Sequence, residues 1–129
     1  MKDNFTYLDE NKELPMIFNL NTMEAIQNKF GSFEAWANKI MPEDDIEPDI
    51  AALKFGLTEA MNEAIDMLNE EKGTDVKPKT VKQMGRILTN IGMEKIGEKI
   101  AEAVTDANTD ENTGATSQTQ EMSEEEKKD

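Results

Sequence analysis

The stretch "FNLNTMEAIQNKFGSFEAWA", residues 18–37, changes the spacing of its apolar residues partway through. Phe18 and Leu20 alternate with asparagines at the period of a β-strand. The apolar residues that follow recur at steps of three and four, which is the spacing of one helix face: Met23, Ile26 and Phe30. The sequence therefore predicts an extended segment that leads directly into a helix.

The preceding segment, "FTYLDENKELPMIFNL", predicts a β-hairpin. Two short extended pieces flank a polar turn at residues 9–13, and Pro15 is expected on an edge strand because it cannot donate a ladder hydrogen bond. Four apolar residues share one face at period two: Leu14, Met16, Phe18 and Leu20. An isolated hairpin is only marginally stable, so we expect it to pack on the helices that follow.

Capping signals predict two helices inside the opening stretch. Asn21, with Glu24 three residues later, matches a capping box, so the first helix is predicted to begin at Asn21. Gly31 is expected to end this helix, and Ser32 to cap a short second helix, "FEAWANKI". Trp36 on this second helix is predicted to be buried against the third helix.

The rest of the chain predicts three further helices. An apolar stripe over residues 50–68 indicates the third and longest helix, which is expected to end at Gly73. Thr80 begins a second capping-box pattern at the start of a fourth helix. A break at residues 90–92 separates it from a fifth helix, in which Gly97 is expected to mark a close contact between helices.

The predicted fold class is therefore mainly α, with about five helices and a short N-terminal β-hairpin in one compact domain over residues 1–105. The apolar stripe ends after Val104, and residues 106–129 hold one large apolar residue, Met122. Such a segment cannot offset the entropy cost of ordering its backbone. Residues 106–129 are predicted to form a disordered acidic tail.

Charge and composition exclude several classes of function. The chain has 28 acidic and 14 basic residues and a net charge of -14, so its field repels nucleic-acid phosphates and anionic membrane surfaces. It has no histidine and no cysteine, which excludes imidazole bases, thiolate nucleophiles and zinc sites that use these ligands. Its start has no apolar run, so we expect an intracellular, soluble protein without nucleic-acid or membrane partners.

Two acidic segments of the sequence carry enough carboxylates to be candidate cation sites. Five carboxylates lie within residues 43–49, but two prolines keep this segment extended, so a solvated loop before the third helix is expected. The segment from Asp106 matches the first ligand positions of a calcium loop. Glu111 replaces its turn glycine and Ser117 its bidentate glutamate, so the motif fails. We predict no catalytic, metal-binding or cofactor-binding residues and no enzyme activity.

The hairpin that leads through "FNLNTMEAIQNKFGSFEAW" into an acidic helical domain with a polar tail resembles the small tail assembly chaperones of long-tailed phages and prophages. The likeness covers residues 5–103 and is one of pattern and layout. It implies a non-enzymatic protein of the host bacterial cytoplasm. Such a chaperone binds the tape measure protein, keeps it soluble and helps recruit tail tube subunits during virion morphogenesis.

The change of period also predicts where a partner would bind. Where the strand spacing changes to helix spacing, the apolar face of the strand would continue into the apolar face of the helix. Together the two faces would form one continuous apolar platform. Met67 adds to this prediction because it lies off the main stripe of the third helix, where a flexible thioether suits varied apolar partners. The predicted partner-binding residues are Phe18, Leu20, Met23, Ile26 and Met67. The alternative is that the platform is the inner core of the domain.

Two other function classes remain open at this point. One is a structural tail or connector component, which would stay in the finished phage particle. The other is an acidic inhibitor that mimics DNA, which would present carboxylates at regular spacing along one rigid face. Much of the acid lies in predicted loops and the tail, which disfavours the DNA mimic. Self-association is also left open.

Overall fold

The computed structural model describes residues 5–43 and 46–109 of the chain. Two short strands precede five helices in this part: β1 (Thr6–Tyr7), β2 (Pro15–Met16), α1 (Leu20–Phe30), α2 (Phe33–Ile40), α3 (Ile50–Lys72), α4 (Val81–Ile91) and α5 (Met93–Thr109). The predicted mainly α fold with an N-terminal hairpin is confirmed.

The hairpin forms around the predicted polar turn and packs on α3. Its strands pair antiparallel, with Thr6 opposite Met16 and Tyr7 opposite Pro15. One carboxylate oxygen of Asp9 accepts hydrogen bonds from the amides of Glu13 and Leu14, both at 2.9 Å, and so closes the turn. The amide of Ile17 donates to the carbonyl of Ala60 on α3 at 3.2 Å. The hairpin is thereby attached to the longest helix.

Helix α1 begins earlier than predicted, because Asn19 rather than Asn21 is its N-cap. The Asn19 side-chain oxygen accepts a hydrogen bond from the Thr22 amide at 3.1 Å. Asn21 lies in the first turn, where its side-chain amide donates to Glu63 on α3. The predicted capping box at Asn21 is therefore wrong, and Leu20 belongs to the helix rather than to an extended segment.

The predicted caps of α2 and α4 and the predicted end of α3 are confirmed. The Ser32 hydroxyl accepts from the Ala35 amide at 2.9 Å, and Thr80 forms a reciprocal capping box with Gln83. Gly73 ends α3 in the left-handed conformation, which costs glycine little because it has no Cβ. Helix α5 continues to Thr109, four residues past the predicted domain end at residue 105. Residues 110–129 of the predicted tail lie outside the described residues.

Helix α3 is the centre of the domain. It packs against β2, α1, α2 and α4, while α5 packs against α4 and β1. The largest fully buried apolar side chains come from almost every element: Leu8, Met16, Ile26, Trp36, Leu57, Met61, Met84, Ile96 and Ile100. Two of the five methionines in the described helices, at positions 61 and 84, are thus core residues, as their stripes predict.

Trp36 is fully buried between α2 and α3, as the sequence predicts. Its indole N–H donates to the Ala52 carbonyl at 2.8 Å, and its ring packs against Phe18 and Phe33 at centroid distances of 5.8 and 5.3 Å. A Cβ at Gly56 would overlap the indole, so this glycine lets α2 approach α3. The expected close contact at Gly97 is wrong, since a Cβ there would meet no atom within 4 Å.

Burial of the single tryptophan predicts its fluorescence. Native protein is expected to emit at shorter wavelength than free indole, and unfolding in urea should shift the emission to longer wavelength, because the indole moves from an apolar site into water. A native spectrum like that of free indole, unchanged by urea, would contradict the packing of α2 on α3.

Candidate partner-binding surface

The structure divides the five predicted partner-binding residues between the core and the surface. Phe18 is 3% exposed and Ile26 is fully buried, so a partner cannot contact them unless the domain opens. Met23 is half-buried and packs against the core. Leu20 is 63% exposed and Met67 is 36% exposed. The accessible part of the predicted platform is therefore Leu20, Met67 and one side of Met23.

Hydrogen bonds hold Leu20 and Met67 at one junction between α1 and α3. One carboxylate oxygen of Glu63 accepts from the side-chain amides of Asn19 at 2.9 Å and Asn21 at 3.0 Å. The Asn19 amide also lies 3.5 Å from the Met67 sulfur. Because Leu20 lies between the two asparagines, these bonds hold its backbone beside α3. We call Leu20, Met67 and these three polar residues the α1–α3 junction.

A shallow cleft of about 350 Å³ adjoins the α1–α3 junction, between α1, α3 and the segment after α3. Three carboxylates of α3 line it: Glu59, Glu63 and Asp66. Its apolar lining comes from Ile65, Val76 and Pro78, and Val76 is about half exposed. The cleft is thus an acidic surface with apolar side chains at its edges.

Two asparagines of α3 hold the cleft's outer wall, which is the extended segment 74–80. Asn62 donates to the Lys79 carbonyl at 2.8 Å and accepts from the Lys79 amide at 2.7 Å. Asn69, two turns later, makes the same pair of bonds with Val76 at 3.0 and 2.9 Å. Each asparagine side chain thus bonds to both the N–H and the C=O of one residue of the segment, which is the pair of bonds that a neighbouring β-strand would supply. The segment therefore runs antiparallel to α3 at a defined register.

The acidic segments weighed as cation sites have other roles or lie partly outside the described residues. Asp49 is the N-cap of α3, and its carboxylate accepts from the Ala52 amide at 3.0 Å. Asp44 and Asp45 are not among the described residues, and Asp106 lies within α5. In the ranges that the structure describes, no group of three or more histidine, cysteine, aspartate or glutamate residues is placed to hold a metal ion.

Two further findings bear on function. Among the described residues, no helix is both long enough and apolar enough to cross a membrane. Comparison with protein-family models, curated protein sequences and solved structures finds no match to this chain. The surface chemistry described above is therefore the basis for a functional proposal.

Proposed function

We propose that this protein is a tail assembly chaperone of a long-tailed phage or prophage. It acts without enzymatic chemistry, binds an apolar helical segment of the tape measure protein in the host cytoplasm and helps recruit tail tube subunits. The observation that supports this proposal best is the pair of exposed apolar side chains at the α1–α3 junction, beside an acidic cleft.

The α1–α3 junction has the physical properties that a binder of apolar helices needs. Complete burial of an exposed leucine against a partner is worth about 1.5–3 kcal/mol, and the backbone at Leu20 is held by the bonds of Asn19 and Asn21 before binding. The unbranched thioether of Met67 can adapt to different apolar side chains. The surrounding carboxylates, together with the net charge of -14, keep a complex with an apolar client dispersed in solution.

The DNA-mimic alternative is less well supported by the acidic surface. The carboxylates of the cleft extend from Glu59 to Asp66, which is about 10 Å of helix at 1.5 Å per residue. This length corresponds to about three base pairs of duplex. The central carboxylate, Glu63, already accepts two hydrogen bonds from asparagines of α1. A structural tail component remains the second candidate, because it would use the same apolar residues.

The test is co-expression with the tape measure protein of the same genome. We expect this protein to move the tape measure protein into the soluble fraction and to elute with it on gel filtration. The variant Leu20→Ser with Met67→Gln should weaken the complex at least about tenfold, since it removes apolar contact area without adding charge. Binding should weaken little at high salt and show a negative heat-capacity change.

The matched control is Met41→Gln with Ile46→Ser. These two residues are also exposed and apolar, but they lie between α2 and α3, outside the α1–α3 junction. The control should bind like the unaltered protein. If the tape measure protein stays insoluble and no complex elutes, the chaperone proposal fails. Detection of the protein in purified phage particles would then favour a structural tail component.

A further inference from the structure

A second surface of the domain has the opposite charge to the rest of the molecule. Residues 76–93 contain three lysines and the only arginine of the chain, and no acidic residue, although the whole chain carries a net charge of -14. Because segment 74–80 and α4 run antiparallel to α3, Lys82 and Arg86 of α4 lie beside the first half of α3, where Gly85 is next to Lys54. Lys54 of that half adds a further positive charge to the same place.

A groove of about 420 Å³ lies between α3 and α4 at this place. Its floor includes the buried side chains of Leu53 and Leu88. Lys54, Lys82 and Arg86 line it, and none of the described acidic residues does. Ile50 and Met93 also line the groove, and each is about half exposed. The groove therefore combines an apolar floor with a basic rim.

Gly85 explains how Lys54 comes to lie against α4. A Cβ at Gly85 would be 3.3 Å from Cδ of Lys54 and 3.6 Å from its Nζ. Since Gly85 has no side chain, the aliphatic part of Lys54 lies across α4, and its ammonium group stays at the edge of the groove. The positive charge at this edge is thus set by the packing of the two helices.

We propose that this groove binds an acidic amphipathic helix of a partner protein. The apolar side chains of that helix would cover Leu53 and Leu88, and its carboxylates would pair with Lys82, Arg86 and Lys54. Arg86 can bind a carboxylate through two parallel hydrogen bonds. A groove between two helices with an apolar floor is a known way to bind an amphipathic helix. The complementary charges select an acidic helix over the basic or neutral ones.

Nucleic acid fits the groove less well, although it also carries negative charge. Phosphates would contact the basic rim but would leave the exposed Ile50 and Met93 in water, whereas an amphipathic helix would cover both. The inference does not depend on the proposed chaperone function. The groove lies along the first half of α3 and the α1–α3 junction along the second half, so two partners can bind at the same time.

The experiment uses the full chain and two labelled synthetic helices of about 18 residues, which is about five turns. One probe has a leucine stripe flanked by glutamates, and the other has lysines in place of the glutamates. Measured by fluorescence anisotropy, the glutamate probe should bind in the groove, whereas binding of the lysine probe should not change when Lys82 and Arg86 are replaced. The variant Lys82→Glu with Arg86→Glu should weaken binding at least about tenfold, and added salt should also weaken it.

Two further variants separate groove contacts from net charge. Lys72→Glu with Lys95→Glu makes the same change in charge with residues that are exposed and do not line the groove, and it should alter the Kd by no more than about twofold. Ile50→Ser with Met93→Ser removes apolar contact without a change in charge, and it should weaken binding at least about fivefold. Circular dichroism of each variant verifies that the domain is folded.

Several results would overturn this inference. If Lys82→Glu with Arg86→Glu and Lys72→Glu with Lys95→Glu weaken binding of the glutamate probe equally, binding responds to the net charge of the protein and not to the groove. Tighter binding of a labelled DNA duplex, dependent on Lys82 and Arg86, would identify nucleic acid as the partner. Association of the protein with itself that Lys82→Glu with Arg86→Glu abolishes would identify a second copy. If replacement of the glutamates at positions 124, 125 and 126 by glutamine raises the affinity for the glutamate probe tenfold, the occupant of the groove is the chain's own C-terminal segment.

Discussion

Replacement of Gly56 by alanine is expected to lower the free energy of unfolding by at least about 2 kcal/mol. The added Cβ would overlap the indole of Trp36, which is fully buried. The ring cannot move aside easily, because its N–H is bonded to the Ala52 carbonyl and the ring is in contact with Phe18 and Phe33. This overlap outweighs the gain of about 1 kcal/mol that alanine brings to a helix interior.

The same substitution at Gly97 is the matched control. A Cβ at Gly97 has open space around it, so Gly97→Ala should raise the free energy of unfolding by about 0.5–1 kcal/mol. Urea unfolding followed by circular dichroism measures both variants. Two glycine-to-alanine changes in helices should thus have opposite signs. If Gly56→Ala also stabilises the protein, Trp36 does not pack on α3 as described.

Phe18→Asp and Leu20→Asp are expected to have opposite outcomes, because Phe18 belongs to the core and Leu20 to the surface. Phe18 is buried against Phe33 and Trp36, at centroid distances of 6.1 and 5.8 Å. An aspartate there loses these contacts and buries an unpaired carboxylate, which should cost at least about 4 kcal/mol and unfold the domain. Loss of helical circular dichroism and of the cooperative unfolding transition would show this.

Leu20→Asp should instead leave the domain folded. Leu20 is exposed in the first turn of α1, where a carboxylate interacts favourably with the helix dipole. We expect a change in stability within about 1 kcal/mol and, under the proposed function, weaker binding of the tape measure protein. A folded Phe18→Asp variant that loses binding would instead show that Phe18 belongs to an exposed platform.

Local signals in the sequence were sufficient for the secondary structure of most of the domain. The caps at Ser32 and Thr80 act within three residues, and the break at Gly92 needs only the conformational freedom of that residue. Such features depend on neighbours in the chain, so a single sequence contains the information. The start of α1 was different, because Asn19 and Asn21 are both local candidates for its N-cap. Asn19 caps the helix, whereas the side chain of Asn21 donates to Glu63, more than 40 positions away.

Apolar periodicity identified side chains that avoid water, but it could not say which of them another element covers. Phe18 and Leu20 have the same place in the alternating pattern, yet β2 and Phe18 pack on the core while Leu20 begins a helix at the surface. The close approach of α2 to α3 was likewise invisible, since Gly56 and Gly97 look alike in a helical stripe. Whether a side chain is buried depends on which helix or strand packs over it, and only the tertiary structure shows that.

The sequence by itself determined the fold class, the net charge of -14, and the absence of histidine and cysteine, with the chemistry that this absence excludes. Only the tertiary structure decided how the charges are arranged. Asn62 and Asn69 align segment 74–80 antiparallel to α3, which sets the acidic cleft and the basic groove beside different halves of one helix. The physical reason is that composition sums charges over the chain, whereas binding depends on which charges the packing of helices brings together.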